Sequence, residues 1–339
     1  MPTVTVNPGG QTFNCEGKQT ILEAALSASV SLNYGCRTGT CGLCMARLQQ
    51  GKIEKVRHFD FTLREADKLN GDFLLCAHTA VSPNVVIQAF EAAGSSDIPW
   101  QSIDAKIRKL DRINDHIGIL TVQTPRTRRL RFLAGQNVRL HLPSNATADL
   151  PIASCPCDDR NIEFHLRCIT GDAFSAELFG SGSFPAPIHI EGPWGPDPGG
   201  MEMPYTLCLA FDTGFAPLRG WMEQQLAKES PDRIKLYWFN YDESDFYLIN
   251  LLDAWSDAFD TFDYHLSTRN NEDQISAVLE PAIESARNTA FEHSRILLAG
   301  PEPFQDEVHT LLRTLNFPES SLFIHTTTPG NVEFPIGNQ

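Results

Sequence analysis

Four cysteines have the spacing of a metal-cluster ligand set. The segment Cys36-Arg-Thr-Gly-Thr-Cys41-Gly-Leu-Cys44 follows the pattern C-x4-C-x2-C, and Cys76 lies further along the chain. Three close cysteines with a distant fourth are typical of the thiolates that hold a 2Fe-2S cluster. The sequence therefore predicts a cluster on Cys36, Cys41, Cys44 and Cys76. Glycines in and beside this loop would let it turn tightly, so that backbone N–H groups face sulfur.

The same cysteines allow two other interpretations. Cys41 and Cys44 form a CxxC pair, which also occurs in zinc sites, and the four thiols could instead be unrelated buried side chains. Structural zinc usually takes two close pairs, whereas Cys36 and Cys76 have no close partner of that kind in the sequence. The spacing therefore favours the 2Fe-2S cluster.

The charge balance of the chain favours a protein partner. Its 339 residues include 42 Asp and Glu against 27 Lys and Arg, which gives a formal net charge of -15. Such a chain would repel nucleic-acid phosphates and anionic membrane surfaces, so we expect neither as a partner. A basic docking surface on another protein fits better.

The cysteine count and the N-terminus bear on the compartment. MPTVTVNPGG has neither the basic nor the apolar region of a signal peptide, and no apolar run approaches the roughly 20 residues that span a bilayer. Nine cysteines, four of them at cluster spacing, indicate metal chemistry in a reducing compartment. We therefore expect a soluble, cytoplasmic protein. The remaining cysteines are expected to be buried free thiols: Cys15, Cys155, Cys157, Cys168 and Cys208.

The elements around the cysteines indicate a small mixed fold. Thr20 and Glu23 form a predicted capping box for a helix, and Thr62 with Glu65 repeats the pattern. FLLCA (residues 73–77) and VVIQAF (residues 85–90) are typical of strands, so Cys76 is expected on a strand. The small-residue stretch AAGSSDIPW then resembles a linker.

The rest of the chain divides into two patterns. From about Ile103 to Gly195, short β-like segments separated by turn residues predict a β-barrel. From Tyr205 onward, apolar strands alternate with helical stretches, which predicts a parallel sheet with flanking helices.

Over its whole length the sequence resembles the NAD(P)H-dependent iron-sulfur flavoprotein reductases. ILEAALSASVSLNYGCRTGTCGLC and TGFAPLRG look most like the CDP-6-deoxyglucoseen reductase and aromatic-oxygenase reductase group. The resemblance implies a multidomain α+β and α/β fold. Its three expected parts are a β-grasp plant-type ferredoxin domain (1–95), a six-stranded antiparallel flavin-type β-barrel (100–200) and a Rossmann-like parallel-sheet nicotinamide-type domain (204–339).

The resemblance also implies an activity. Members of this group pass hydride from NAD(P)H to FAD, which releases single electrons through a 2Fe-2S cluster to a partner. The partner expected for this chain is an oxygenase, hydroxylase or dehydrase component.

The flavin motif is only partly present. Relatives have Arg-x-Tyr-Ser before an Ile-Ala-Ser-like strand, and this chain has ADLPIAS (residues 148–154). Ala148, Leu150 and Pro151 thus replace the cation, the ring and the hydroxyl. The matching tail implies three flavin contacts: Ile152, Ala153 and Ser154.

A second flavin element resembles the family more closely. Gly171-Asp172-Ala173-Phe174-Ser175 is similar to a turn that opens a helix, whose free N–H groups can hold the flavin pyrophosphate. We therefore expect Gly171, Phe174 and Ser175 at the flavin, although Asp172 adds a negative charge. An ordinary capped helix start is the alternative.

The nicotinamide motifs show similar departures. Relatives have Gly-Gly-Thr-Gly after the first strand, and here Phe211 and Asp212 replace the two leading glycines. The family's Cys-Gly-Pro becomes AGP at residues 299–301. The resemblance implies nucleotide contacts at four residues, Thr213, Gly214, Gly300 and Pro301, and Arg269 could face the adenosine ribose. Strand-to-helix turns of an ordinary parallel sheet are the alternative.

Two functional hypotheses follow. The first is a working reductase that carries electrons from NAD(P)H through FAD and the 2Fe-2S cluster to its partner. The second is a flavin-less electron carrier or docking protein whose barrel and nucleotide domains serve only as scaffold.

Overall fold

The computed structural model describes residues 1–28, 30–57, 62–90, 97–180, 187–195, 204–227, 233–268, 273–290 and 294–326. These residues form three sheets of five or six strands, one after another along the chain, and one two-stranded sheet. Within these ranges no helix is long and apolar enough to cross a membrane. The predicted domain boundaries near residues 95 and 200, and the predicted contact of Arg269, lie outside the described residues and stay predictions.

The first part is the predicted ferredoxin-type fold. Its elements are β1 (Thr3–Asn7), β2 (Thr12–Asn14), α1 (Ile21–Ser27), β3 (Met45–Gln50), β4 (Ile53–Lys55), α2 (Glu65–Leu69), β5 (Asp72–Leu74), β6 (His78–Ala80) and β7 (Asn84–Gln88). The sheet order is β2-β1-β7-β3-β5, with β1 parallel to β7, and β4 pairs with β6. Helix α1 buries its apolar side chains in the core of this part.

One of the two predicted capping boxes is confirmed. The Glu23 N–H donates to Thr20 Oγ1 at 3.2 Å, and the Thr20 N–H donates to Glu23 Oε2 at 3.0 Å. The second is wrong, because α2 starts after Arg64, whose N–H donates to the Asp67 carboxylate at 3.0 Å. A carboxylate three residues after Arg64 satisfies that free N–H, so the helix begins later than Thr62 would place it.

The second part is the predicted antiparallel barrel. Its elements are β8 (Gln101–Arg112), β9 (Ile117–Gln123), β10 (Asn137–His141), β11 (Thr147–Pro151), β12 (Asn161–Arg167), α3 (Ala173–Gly180) and β13 (Ile188–Trp194). The order is β11-β10-β13-β8-β9-β12. Just after β11, the Ala153 N–H donates to the Glu163 carbonyl of β12 at 2.8 Å, which brings the two edges together.

The chain enters and leaves the barrel at neighbouring positions. Gln101, the first residue of β8, pairs with Gly192 near the end of β13. The rings of Trp100 and Trp194 stack beside this pair with centroids 5.6 Å apart.

The third part is the predicted parallel sheet with flanking helices. Its elements are β14 (Tyr205–Phe211), α4 (Phe215–Leu226), β15 (Arg233–Asn240), α5 (Ile249–Ala258), β16 (Phe262–Thr268), α6 (Asp273–Ala290), β17 (Ser294–Gly300), α7 (Glu302–Thr314) and β18 (Leu322–Thr326). The order β16-β15-β14-β17-β18 reverses direction at β14. Ligands of such sheets bind in the crevice at this reversal, beyond the carboxyl ends of the strands.

Helix α4 packs closely on the barrel. A Cβ atom at Gly220 would lie 2.8 Å from the Ser154 carbonyl oxygen and 3.1 Å from that of Ala153. Only glycine allows this approach, so α4 packs against the end of the flavin motif, just after β11.

Candidate functional site

The four predicted cluster cysteines form two close pairs. Cys44 Sγ lies 3.2 Å from Cys76 Sγ. The Cys36 and Cys41 side chains hydrogen-bond to each other, and the Cys36 N–H donates to Cys41 Sγ at 3.3 Å. The prediction that Cys76 lies on a strand is wrong, because Cys76 lies in the turn after β5. The Leu75 N–H donates to the Cys44 carbonyl at 2.9 Å, so this backbone bond joins the turn to the loop.

Backbone N–H groups face the sulfur atoms. The N–H groups of Thr38 and Thr40 both donate to Cys36 Sγ at 3.3 Å. Gly39 and Gly42 have φ angles of 83° and 76°, a left-handed conformation that glycine adopts without strain. Burial opposes ionisation of Cys36, but hydrogen bonds to Thr38 and Thr40 outweigh it and lower its pKa to about 6.

The donor set fits a two-iron cluster. Each iron of a 2Fe-2S centre takes two protein thiolates, which matches two pairs of thiols. Among the described residues, no three Cys, His, Asp or Glu side chains converge as they would on a single metal ion. A tetrahedral zinc centre built from all four cysteines therefore fits less well.

Two of the cysteines expected to be free are bonded to each other. Cys155 and Cys157 form a disulfide, with Cα atoms 5.2 Å apart across a turn. Only one residue separates them, and the turn brings both side chains to the same side, which the sequence did not indicate. Cys15 and Cys208 are buried free thiols as predicted, and Cys168 is a half-buried free thiol.

A cleft of about 380 Å³ lies between β11, β12 and the start of α3. Its lining includes Arg139, His165 and Arg167, together with Phe174 and Ser175. Arg139 pairs with the exposed Asp149 across the strands through two hydrogen bonds, at 2.6 and 2.7 Å. The cleft thus contains two arginines, which the flavin motif of the sequence lacks, and both are paired with carboxylates.

The predicted flavin residues fall into two groups. Phe174 and Ser175 line the cleft, whereas Ile152, Ala153 and Ser154 are buried and do not appear in its wall. Gly171 has a φ angle of 85° and shapes the turn before α3.

The start of α3 is partly closed to an anion. The predicted free N–H of Ser175 donates to the Asp172 carboxylate at 2.7 Å. This N–H is therefore unavailable, because Asp172 already accepts its hydrogen bond.

His165 contributes a buried polar atom to the wall of the cleft. Its Nδ1 is 2.9 Å from the Tyr247 hydroxyl, and its Nε2 has no hydrogen-bond partner among the residues that the structure describes. Burial, together with the charge of Arg219, lowers the pKa of His165 well below its usual value, so the ring is neutral. A buried polar atom without a partner fits a bound group that carries a hydrogen-bonding atom. On this observation the cleft fits a flavin ring.

An ionic network spans the junction of the barrel and the parallel sheet. Arg167 of β12 donates to both carboxylate oxygens of Asp212, at 2.5 and 2.7 Å, and to Asp245 at 2.8 Å. His116 Nε2 lies 2.7 Å from the other Asp245 oxygen. We call Arg167, Asp212, Asp245 and His116 the junction network.

The junction network controls the charge at the predicted nucleotide turn. Burial raises the pKa of Asp212, and Arg167 opposes that shift. Burial likewise disfavours ionised Asp245, but Arg167 and His116 outweigh it and lower its pKa. The negative charge that Asp212 brings to the turn is thus offset by Arg167.

The predicted nicotinamide residues lie together beyond β14 and β17. Asp212 has a φ of 55°, so it keeps a left-handed conformation at a position where relatives are expected to have glycine. A Cβ at Gly214 would lie 2.2 Å from the Ala299 carbonyl oxygen, and Pro301 caps α7 beside Gly300. Thr213 lines the flavin-type cleft. The turn therefore connects the two expected cofactor regions.

Buried aromatic side chains pack together beneath this turn. Phe211 and Phe239 each pack on Phe304, with ring centroids 5.3 and 5.8 Å apart. A Cβ at Gly300 would lie 2.7 Å from the Phe304 ring, so the glycine is needed for this packing. Phe211 thus points into the core rather than into the crevice, since it is 1% exposed.

Three polar residues that line the cleft were not predicted from the sequence: Arg139, His165 and Arg167. All lie on β10 or β12; burial alternates along β10, whereas β12 has three consecutive buried residues that include His165. The polar residues of RLH (139–141) and HLR (165–167), within otherwise apolar segments, are the signal that could have indicated them.

Comparisons with known proteins agree with this arrangement. A 2Fe-2S iron-sulfur cluster binding domain matches residues 4–81, and an oxidoreductase NAD-binding domain matches residues 210–310. The CDP-6-deoxy-L-threo-D-glycero-4-hexulose-3-dehydrase reductase of Yersinia pestis is 30% identical over 235 residues, which cover 69% of this chain and 70% of the relative. Reductase component 1 of the terephthalate 1,2-dioxygenase of a Comamonas species is 29% identical over 74% of each chain.

A solved structure has the same fold over nearly the whole chain. The Amycolatopsis cytochrome P450 reductase GcoB aligns with a TM-score of 0.59 and 21% identity. The alignment covers 97% of this chain and 99% of that one. At this identity the likeness shows the fold alone.

Proposed function

Because the chain belongs to the family of NAD(P)H-dependent iron-sulfur flavoprotein reductases, we propose that it is the electron-transfer component of a two-protein enzyme. Electrons would pass from NAD(P)H through FAD and the 2Fe-2S cluster to an oxygenase, hydroxylase or dehydrase partner. The two thiol pairs at Cys36/Cys41 and Cys44/Cys76 are the observation that carries the proposal. Relatives named as reductases of a dehydrase and of a dioxygenase support the class of partner.

The cofactors would divide the chemistry between them. When bound, the flavin accepts two electrons as hydride and the cluster passes them on singly. The side chains of this protein bind and orient: Cys36, Cys41, Cys44 and Cys76 hold the irons, and N–H groups of the loop offset the charge on sulfur. Neutral His165 would form a hydrogen bond to a polar flavin atom through Nε2, since Nδ1 is already hydrogen-bonded to the Tyr247 hydroxyl.

The remaining site residues are proposed in two sets. Arg139 and Phe174 would contact the flavin beside Ser175, whose polar groups already bond within the turn, with Ile152, Ala153 and Ser154 behind them and Gly171 shaping the turn. The nicotinamide nucleotide would lie against Thr213, Gly214, Gly300 and Pro301, at the strand-order reversal where such sheets bind ligands.

The domain limits and the compartment are also proposals. We propose the ferredoxin domain at 1–95, the flavin barrel at 100–200 and the nicotinamide domain at 204–339, supported by the three successive sheets. A cytoplasmic location is supported by the need of four cysteines for a reduced state that binds iron. The net charge of -15 favours a partner with a basic docking surface.

Cofactor content and two activities test the proposal on the full-length protein. We expect iron, sulfide and FAD near two, two and one per chain, measured chemically and by chromatography of released flavin. NADH or NADPH should reduce ferricyanide, which needs only the flavin, and should also bleach the cluster. A C41S variant serves as the control, because it should keep ferricyanide reduction while losing the cluster.

Cofactor content also separates the two functional hypotheses. Iron and sulfide without stoichiometric flavin, even after incubation with FAD, would refute the reductase and leave the flavin-less carrier. Flavin with no NAD(P)H-dependent ferricyanide reduction would place the defect in the nucleotide turn, at Asp212 or Ala299.

A further inference from the structure

A buried ionic group joins the cluster loop to the barrel. Arg37 follows the first cluster cysteine, and its Nη1 donates to Asp159 Oδ1 at 3.1 Å and to the Cys157 carbonyl at 3.0 Å. The Asp159 side chain is 2% exposed, and Arg129 Nε lies 4.0 Å from the same carboxylate oxygen. We call Arg37, Arg129 and Asp159 the loop-barrel cluster.

The residues just before Cys36 touch the barrel as well. The Arg129 N–H donates to the Gly35 carbonyl at 3.1 Å. Arg131 Nη1 donates to Asn33 Oδ1 at 2.6 Å, and its guanidinium lies 5.9 Å from the centre of the Tyr34 ring. Residues 33–35 and Arg37 therefore contact the barrel, immediately before and after the first cluster ligand.

Arg37 holds a backbone conformation that needs support. Its φ angle is 57°, a left-handed conformation that is strained for a residue other than glycine. Arg57 Nη1 donates to the Arg37 carbonyl at 2.6 Å from within the ferredoxin-type part, while Asp159 holds the side chain from the barrel. The loop is thus fixed from both sides.

On the barrel side, the same group lies close in sequence to the flavin-type cleft. Pro151 at the end of β11 lines the cleft, and Asp159 follows eight residues later. The Thr124 hydroxyl donates to the Asp159 carbonyl at 2.9 Å, so the backbone of Asp159 is fixed to the barrel. One short, well-bonded segment therefore runs from the cleft to the residue beside Cys36.

From this geometry we propose that Asp159 and Arg37 are positioning residues for electron transfer within the chain. This proposal rests on the proposed function. They would set the distance between the flavin-type cleft and the cluster without touching either cofactor. Electron transfer between two centres slows steeply as their separation grows, so a loop that shifts away from the barrel would slow it even with both cofactors bound.

The burial of Asp159 explains why a single substitution should move the loop. Burial raises the pKa of Asp159, and the charges of Arg37 and Arg129 oppose this shift. Removing the carboxylate leaves two arginines facing each other in a buried site, which is unfavourable unless the loop opens to water. The expected response is a displaced loop rather than a lost cluster, because no cysteine ligand is altered.

The test compares D159N and R37M with a matched control in the full-length protein. D158N makes the same chemical change one residue away, at an exposed position. Cluster reduction after rapid mixing with NAD(P)H is followed by its visible absorption, and ferricyanide reduction reports the flavin alone. Iron content and the EPR signal of the dithionite-reduced protein show whether the cluster is intact.

We expect D159N and R37M to slow cluster reduction by at least about tenfold while ferricyanide reduction and the EPR signal stay unchanged. D158N should match the wild type in all three. Cluster reduction within twofold of wild type in both D159N and R37M, with the cluster intact, would overturn the inference. If D159N does not fold, the rates of cluster reduction in the milder variants R37K and R37M, each divided by the wild-type rate, decide the question.

Hydrogen exchange gives a readout that does not depend on reductase activity. The amides of residues 35–41 should exchange faster in D159N than in D158N, and equal exchange would also refute the positioning role. A wild-type protein that does not reduce ferricyanide with either nucleotide would instead refute the proposed function, and the exchange result would then stand alone.

Discussion

Replacing Arg167 with methionine should weaken the contact between the barrel and the parallel sheet and lower the free energy of unfolding. Methionine keeps much of the apolar volume but removes all three hydrogen bonds to Asp212 and Asp245. The two carboxylate side chains are 11% and 3% exposed, so water replaces little of the lost interaction. His116 still faces Asp245, whereas Asp212 loses its only cationic partner among the described residues.

The magnitude follows from the burial of the network. Breaking a buried ion pair by removing one partner costs about 3–5 kcal/mol. Arg167 is 18% exposed, so we expect the lower end, about 3 kcal/mol. For about 240 residues, this corresponds to a midpoint temperature lower by roughly 6–12 °C.

The cost should also depend on pH. Burial already raises the pKa of Asp212, and loss of Arg167 would raise it further. A carboxyl group whose folded pKa lies above its unfolded pKa stabilises the fold at low pH, and this contribution is lost as pH rises. R167M should therefore be less destabilised at pH 5 than at pH 8.

Urea unfolding followed by tryptophan fluorescence measures the effect. Trp238 Nε1 donates to the Asp212 carbonyl at 2.9 Å, so one of the five tryptophans lies at the turn and contributes to the signal. D212N is the matched control, because Arg167 keeps Asp245 and we expect a loss of only about 1–2 kcal/mol. The reasoning fails if R167M unfolds within about 1 kcal/mol of the wild type, or if its cost is the same at both pH values.

Three further predictions test other parts of the molecule. C41S should lose the 2Fe-2S EPR signal, because serine is a poor ligand to iron at neutral pH, and an unchanged signal would count against the ligand set. G220A should destabilise the protein by about 1–3 kcal/mol in urea, since its Cβ would lie 2.8 Å from the Ser154 carbonyl, and an equal midpoint would contradict the close packing. Burial lowers the pKa of His325 to about 4, so the free energy of unfolding should be about 2 kcal/mol lower at pH 5 than above pH 6.5. H325Q should reduce this pH dependence, and an unchanged pH dependence would exclude His325 as its source.

The parts of the site that depend on local spacing could be predicted from the sequence. The cysteines at 36, 41 and 44 lie on one loop, so their spacing alone limits how they can be arranged. The alternation of strands and helices after Tyr205 similarly determines a parallel sheet, because each crossover needs its own helix. The capping box at Thr20 is equally local, since its two hydrogen bonds join residues three apart.

The parts that depend on contacts between distant segments could not be predicted. Asp212 looked like a negative charge near phosphate, but Arg167, 45 residues earlier in the chain, offsets it. The polar group of His165 and the ion pair of Asp159 with Arg37 likewise require the packed structure, because nothing in the sequence indicates which strand faces which.

The paired entry and exit of the barrel have a consequence for how such chains can be rearranged. Since Gln101 and Gly192 are neighbours, the segments that lead to the other two parts leave from one side of the barrel. A domain attached to either end of the barrel therefore starts from nearly the same point in space. Moving the ferredoxin-type part to the C-terminal side would change the order of the domains in the sequence. It would need no new contact surface on the barrel, provided that the linker is long enough to reach the present one.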